Sequence, residues 1–441
     1  MAGDSTSASG VNGVTDFVGH VVQSDGSGGW NSVVGNSAAG TAPHADSRDI
    51  EFDANRNMLE ADDGGIYWLV NPTATDGSRH WESVLGNLRP TEVNSVAYDT
   101  LNNVFFTGNQ DTGTAEQTAP GSFTWSEYSK GDGNTVAVAH YVGETVHYLL
   151  GNNFNFISRK TVNSFNQLVA GSNVNLTLAN SPSGAALSGL NNTLNGAFSQ
   201  TDRNFSGFYT IPFEVNSYDP EYLLMGLQGV YTSSNRDDVI ADITPSGMNG
   251  VVSALAYGGT LNGTQVRDLA YVGNSAGNLF ARFDGGGLVA TQFGTATNSV
   301  SGGVGIRDIA LDPENARTAY VLDTQSRIWR GTNVGLGAET WDFLLTNLSV
   351  GSDLRTIMLY NTTTAPGDET LLVGGFVGGE FGAGVFFYDN PYAPGDATFP
   401  YQATFNKFGS NLPNVMVTDL RYDATDDLLY AAHRKTVGGN W

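Results

Sequence analysis

The 441-residue chain contains no cysteine. That absence removes disulfide scaffolds, zinc–thiolate sites and thiol nucleophiles together. Positive charge is also scarce: 20 Lys and Arg stand against 44 Asp and Glu, for a net charge of −24. Such a surface repels phosphate backbones and anionic lipid, so neither nucleic acid nor membrane is an expected partner. It attracts cations, and calcium is the natural one for oxygen-rich turns. No apolar run approaches the roughly 20 residues that span a bilayer, so no membrane insertion is expected. The opening Met1-Ala2-Gly3-Asp4-Ser5-Thr6 lacks the basic and apolar regions of a signal peptide. An acidic, cysteine-free chain of this kind fits an extracellular or cell-surface bacterial protein. The abrupt end at Gly438-Gly439-Asn440-Trp441 favours a domain of a larger extracellular chain.

Helical stripes are missing too, and period-2 apolar alternation takes their place. Glycine is plentiful at 56 residues without a G-X-Y period, which reads as many tight turns. One phrase keeps returning: Arg48-Asp49-Ile50-Glu51-Phe52-Asp53, Arg307-Asp308-Ile309-Ala310-Leu311-Asp312 and Thr418-Asp419-Leu420-Arg421-Tyr422-Asp423. Arg267-Asp268-Leu269-Ala270-Tyr271 and Ser95-Val96-Ala97-Tyr98-Asp99 echo it. A phrase repeated at tens of residues marks one supersecondary unit copied and stacked. The expected fold is therefore all-β: a single β-propeller over residues 1–441, built of four-stranded antiparallel blades.

The first blade is expected at Asp49–Phe52, Met58–Ala61, Gly65–Val70 and Trp81–Val84. The second is Val93–Tyr98, Val104–Thr107, a variable third strand and Phe123–Tyr128. The third is Thr135–Tyr141, Val146–Leu150 and Phe154–Ser158. Further blades open near Gly207–Val215, Val251–Tyr257, Ile306–Leu311 and Leu354–Tyr360. The last, Val417–Tyr422 with Leu428–Ala432, runs out of chain. Residues 1–16 read as a loose N-terminal segment, and residues 17–46 as outer strands, Phe17–Gln23 and Trp30–Val34, of that closing blade. The termini would thus clasp the ring and remove its open edges. Eight blades of about 55 residues follow, with seven the alternative because the Asn-, Ser- and Gly-rich residues 170–206 read as a long loop.

Two turns, Asp25-Gly26-Ser27-Gly28-Gly29-Trp30 and Asp76-Gly77-Ser78-Arg79-His80-Trp81, resemble the Asp-box (BNR repeat) of sialidase-like propellers. Ala61-Asp62-Asp63-Gly64-Gly65-Ile66-Tyr67 and Gly108-Asn109-Gln110-Asp111-Thr112-Gly113-Thr114 resemble a motif pair of bacterial sialidase and xyloglucanase relatives. Pro43-His44-Ala45-Asp46-Ser47-Arg48 is similar to the lead-in of a blade in the same group. The run from His44 to Thr114 is also similar to propeller domains of large extracellular calcium-binding repeat proteins. The resemblance implies a carbohydrate-related propeller. The arginine triad and Tyr–Glu nucleophile pair of true sialidases have no counterpart here.

In a propeller, D–A and B–C connections share one face. His44, Asp46, Arg48, Asp62, Asp63, Arg89, Glu92, Gln110 and Asp111 would all fall there, joined by His433, Arg434 and Lys435 from the last blade. Three chemistries fit. Paired carboxylates among Asp46, Asp62, Asp63 and Asp111 suit glycoside hydrolysis. His44 as base, with Arg48 or Arg89 neutralising a uronate, suits a lyase. The four aspartates also suit calcium. Against these stands a structural role, in which Asp63 stabilises the Gly64-Gly65 turn. The expected function is an extracellular module binding glycan or protein ligands through Arg48, Arg89, Glu92, Gln110, His433 and Arg434, with calcium as stabiliser. A polysaccharide-active hydrolase or lyase is the competing class, and a structural spacer a third. No organic cofactor is expected.

Overall fold

A computed structural model describes residues 5–6, 18–54, 57–86, 91–129, 131–151, 157–175, 211–227, 229–236, 240–294, 304–344, 351–361, 369–378, 382–389, 406–409, 412, 414–423 and 427–434. The chain divides into two compact units, Met1–Glu92 and Val93–Trp441. Every described sheet is antiparallel, seven of them four-stranded and three two-stranded. The expected all-β, propeller-type architecture is present in that coarse form.

Unit 1 holds sheet I, a meander of Asp49–Phe52, Met58–Asp62, Gly65–Val70 and His80–Ser83. Alternation along the second strand turns Met58, Glu60 and Asp62 inward. Met58, Leu69 and Trp81 pack against Val21, Val33, Val34 and Ala38 from the preceding segment. Burial of side chains this size contributes about 1.5–3 kcal/mol each. The Trp81 indole donates to the Val33 carbonyl at 2.9 Å. The preceding segment also forms a hairpin, Val22–Ser24 with Trp30–Ser32. Its turn is held by Asp25, whose Oδ1 accepts from Ser27 N and Gly29 N at 2.7 and 2.9 Å.

Unit 2 contains six four-stranded sheets, II to VII, whose first strands are Val93–Asp99, Gly133–Tyr141, Phe213–Val215, Val252–Leu261, Ile306–Leu311 and Asp353–Asn361. Each runs in chain order, and a seventh, sheet VIII, pairs Met416–Asp423 with Leu428–Arg434. The repeated phrase has two uses here. Its terminal aspartate closes the next turn: Asp99 Oδ1 accepts from Leu101 N and Asn102 N, and Asp312 Oδ1 from Glu314 N and Asn315 N. A polar residue near the strand's start reaches the following sheet. Val136 N donates to Ser95 Oγ, Thr135 Oγ1 to Ile211 O, and Ser253 Oγ to Ile306 O. Thr356 Oγ1 and Ile357 N both donate to Asp308 Oδ2 at 2.8 Å. Thr418 Oγ1 donates to Val93 O at 3.3 Å, tying sheet VIII to sheet II. Tyr430 packs on Phe105 across the same junction, ring centroids 5.7 Å apart.

Strand positions depart from expectation in three places. Sheet II has Gly113–Gln117 as its third strand, and its fourth begins at Trp125 because Phe123 lies in the turn, 82% exposed. The third strand of sheet III is described over Ile157–Asn163 and runs on past Ser158, while residues 154–156 of the expected Phe154–Ser158 lie outside the described residues. This register sets Lys160 opposite His147, so a buried polar pairing chooses it rather than apolar alternation. The two hairpins expected to share one closing sheet each form a two-stranded sheet of their own. Of the strand expected from Gly207, residues 207–210 lie outside the described residues, as does the 176–210 part of the expected loop.

Candidate functional site

In unit 1 the structure brings several expected residues close together. Asp46 and Asp63 offer carboxylate oxygens within 4.8 Å of each other. Arg48 makes a two-pronged contact to Asp63, Nε to Oδ1 at 3.0 Å and Nη2 to Oδ2 at 2.7 Å. Arg48 is 66% exposed, so this pair sits in water and contributes little stability. The turn after it is tied by the neighbouring aspartate. Gly64 N and Gly65 N each donate to Asp62 Oδ1 at 2.8 Å. The assignment of that turn to Asp63 is thus corrected by one residue, because strand alternation points Asp62 inward, under the turn. A Cβ on Gly64 would lie 2.5 Å from His44 Cβ, so the imidazole residue packs directly on the glycine. His44 Nδ1 lies 3.2 Å from the Ala45 carbonyl.

Beneath this turn lies a residue that sequence reading passed over. Glu60 is fully buried and Asp62 is 9% exposed, two positions apart on the same strand face. Burial pushes both carboxyls well above the usual range; the Asp62 charge raises Glu60 further, while a Glu60 hydrogen bond and the Gly64 and Gly65 amides hold Asp62 down. Tyr67, opposite Glu60 in the register, is pushed up to about 12 by burial and then by these two carboxylates. A glutamate between Leu59 and Ala61 reads as an outward residue; only the inward Met58 and Asp62 on either side hint otherwise.

Arg89 and Lys435 lie outside the described residues, as does the Arg434 side chain, whose backbone ends its strand opposite Met416. Glu92, half-buried, closes unit 1. In unit 2, Gln110 and Asp111 form a tight turn: Thr112 N donates to Gln110 O at 2.7 Å, and Asp111 takes a left-handed φ of 59° with its N–H on Asp132 Oδ1. His433 sits half-buried opposite Val417.

Unit 2 also carries a buried ionic chain. His147 Nε2 meets Asp99 Oδ2 at 2.8 Å and its Nδ1 faces Glu116 Oε2 at 3.8 Å, while Lys160 Nζ bonds to Glu116 Oε2. Thr145 and Asn102 complete the shell of Asp99. Burial pushes the Asp99 carboxyl up, but donors from His147, Asn102 and Thr145 bring it below its ordinary value. Lys160 also stands 3.5 Å above the Tyr128 ring. All four ionic residues are at most 2% exposed, with Asp99 and Glu116 on sheet II and His147 and Lys160 on sheet III, so this is a fastening between the two sheets, closed to substrate.

An open concavity occurs elsewhere in unit 2. A cleft of about 340 Å³ is lined by Tyr360, Thr370, Leu372, Phe387 and Phe408 of sheet VII and by Tyr422, Asp427 and Leu429 of sheet VIII. Tyr360 and Tyr422 meet edge to face at 4.5 Å, and Phe387 meets Phe408 at 6.3 Å. Tyr422 donates to Asp427 Oδ1 at 2.9 Å. The inner part of the face is covered by the hairpin, while Phe408 at its outer end is 41% exposed. Beside it runs Leu428–Arg434, whose only strand partner among the described residues is Met416–Asp423.

No family model matches the chain, and no curated protein matches it. Among solved structures, it is similar to one titled "Structure of U3-55K", with a TM-score of 0.40 and 11% identity over 75% of this chain and 88% of that one. Among the described residues no helix is long and apolar enough to cross a membrane.

Proposed function

We propose that the chain is an extracellular propeller module that binds a protein ligand, and that the ligand's extended segment enters the aromatic cleft between sheets VII and VIII. The cleft is the observation that carries this reading. Six of its eight lining residues are aromatic or aliphatic, with Thr370 and Asp427 as the other two. Aromatic side chains dominate the energetics of protein interfaces. A sugar chain demands many hydrogen-bonding groups, and this lining offers few. A strand that is paired along one side only among the described residues, beside an apolar cleft, suits addition of a β-strand, whose backbone bonds to the edge while alternate side chains enter the cleft. Hydrolysis by a carboxylate pair fits poorly, because Asp427 is the single carboxylate among the described lining residues.

We further propose that sheets II to VIII form a seven-membered ring. Support comes from the bonds that join successive sheets and from Thr418 to Val93, which links the last to the first. The outer half of sheet VIII is then the place that a ligand strand would fill. The resemblance to Asp-box propellers is supported only at the level of the hairpin device, through Asp25 and Asp76. Extracellular placement rests on the acidic, cysteine-free composition.

The test is binding of the full chain to an array of extended peptides and, in parallel, to neutral and acidic glycans. Phe387→Ala and Tyr422→Ala should each weaken peptide binding at least tenfold at unchanged circular dichroism. Glycan binding without peptide binding, or peptide binding indifferent to both variants, would refute the proposal.

A further inference from the structure

Both carboxylate oxygens of Glu60, Oδ2 of Asp62 and the hydroxyl of Ser47 are buried in unit 1 with no hydrogen-bond partner. Buried polar atoms are almost always satisfied, so four such atoms belonging to three neighbouring residues call for a missing partner. Their placement follows from the fold. Strand alternation sets Glu60 and Asp62 on one face, and the amides of Gly64 and Gly65 occupy Asp62 Oδ1, leaving Oδ2 as its unused atom. Ser47 and Asp62 both stand within hydrogen-bonding reach of the Glu60 carboxyl, but in geometry that leaves its buried oxygens unsatisfied. Among the described residues no Lys or Arg is a leading influence on either carboxyl. Arg48 is engaged by Asp63, and His44 has the weakest influence of the groups acting on Glu60. Two carboxylates desolvated together without a counter-charge are strongly unfavourable.

We propose that Glu60, Asp62 and Ser47 form a site for a hard divalent cation of the calcium type. The donors are all oxygen, which selects against zinc and copper, whose protein sites rely on nitrogen and sulfur. Both Glu60 oxygens are unengaged, so the residue can bind side-on through both, a mode common for calcium and rare for magnesium. Asp62 and Ser47 add one oxygen each, and water and backbone carbonyls complete the shell of six to eight. The proposed donor set differs from the Asp46, Asp62, Asp63 and Asp111 group: it keeps Asp62, replaces Asp63 because Arg48 already neutralises it, and adds Glu60 and Ser47.

The site is tested on the full chain after chelator treatment and dialysis. Terbium is titrated with excitation of the aromatic residues, since Tyr67 stands opposite Glu60 and can sensitise a bound lanthanide. Thermal melting is measured with calcium and with chelator. The expected result is one saturable terbium site per chain displaced by calcium, together with a calcium-dependent rise in melting temperature, since a ligand that binds only the folded state stabilises it. Glu60→Gln should weaken terbium binding at least tenfold and Ser47→Ala several-fold, while Asp63→Asn leaves it unchanged. If Glu60→Gln does not fold, Ser47→Ala and Asp63→Asn still discriminate. Saturable binding that survives Ser47→Ala and is lost in Asp63→Asn would overturn the assignment. So would no saturable binding with melting that responds to acid alone, which would mean the two carboxyls share a proton instead.

Discussion

Replacing Lys160 by Met tests how the buried ionic chain that joins sheets II and III acts. Lys160 and Glu116 are each 2% exposed, so removing the ammonium leaves Glu116 charged, dry and facing His147. Breaking one partner of such a pair costs about 3–5 kcal/mol. Unfolding entropy of about 2.1 cal/mol/K per residue, over the roughly 350 residues of Val93–Trp441, gives roughly 0.7 kcal/mol/K. The variant should therefore melt about 4–7 °C lower by calorimetry or tryptophan fluorescence. Glu116→Gln in the same background removes the stranded charge and should recover much of the loss. The two substitutions together should then cost less than their sum, by about 1–3 kcal/mol. A drop of under about 1 °C, or strictly additive losses, would show that the chain is not the fastening described.

Further expectations follow from other residues. Burial raises the Asp308 carboxyl from its ordinary 3.8 to about 6, against donors from Ile357, Thr356 and Ile309. Its folded value lies above its unfolded one, so its contribution is most favourable below about pH 4 and is lost as pH rises through about 6. Asp308→Asn should flatten stability between those limits in urea titrations, and an unchanged profile would sink the assignment. Asp99 has the opposite sign: its folded value is depressed, so its contribution holds above about pH 4 and disappears only in stronger acid. Asp99→Asn should accordingly be most damaging at neutral pH, and equal damage at acid and neutral pH would contradict this. Gly64→Ala forces a Cβ onto His44 and should cost about 1–3 kcal/mol in thermal melting. Arg48→Ala, which breaks only an exposed pair, should cost under about 1 kcal/mol, and a larger loss would mean that pair is more than a surface contact.

The parts of the fold that could be read from the chain are those set by local alternation. The strand Ile306–Leu311 has the expected bounds, and Asp49–Phe52 and Gly65–Val70 do too. What eluded the reading depends on partners far away in sequence. Lys160 looks outward until Glu116, 44 residues earlier, accepts its ammonium, and that pairing carries the strand past Ser158. Glu60 has the same difficulty: a glutamate in a strand reads as solvated, and only the packing of Val21, Val33 and Val34 shows which face is closed. The two neighbouring aspartates could not be told apart for a related reason. Asp62 and Asp63 are adjacent, but the pleat sends them to opposite environments, one under a turn and one to an arginine. The cleft aromatics Phe387 and Tyr422 look like ordinary core, because no periodicity distinguishes a covered face from one left partly open.

The polar latch near the head of five of the first strands has one more consequence. Ser95, Thr135, Ser253, Asp308 and Thr418 use side chains to grip the backbone of whatever sheet comes next, and backbone is the same in every copy. Such a grip is blind to the neighbour's side chains, so it survives substitutions there that would upset the apolar packing or the ionic chain at the same joints. The joints thus combine a part that any sequence could satisfy with a part that only the right neighbour can, and the second is what fixes the order of the sheets.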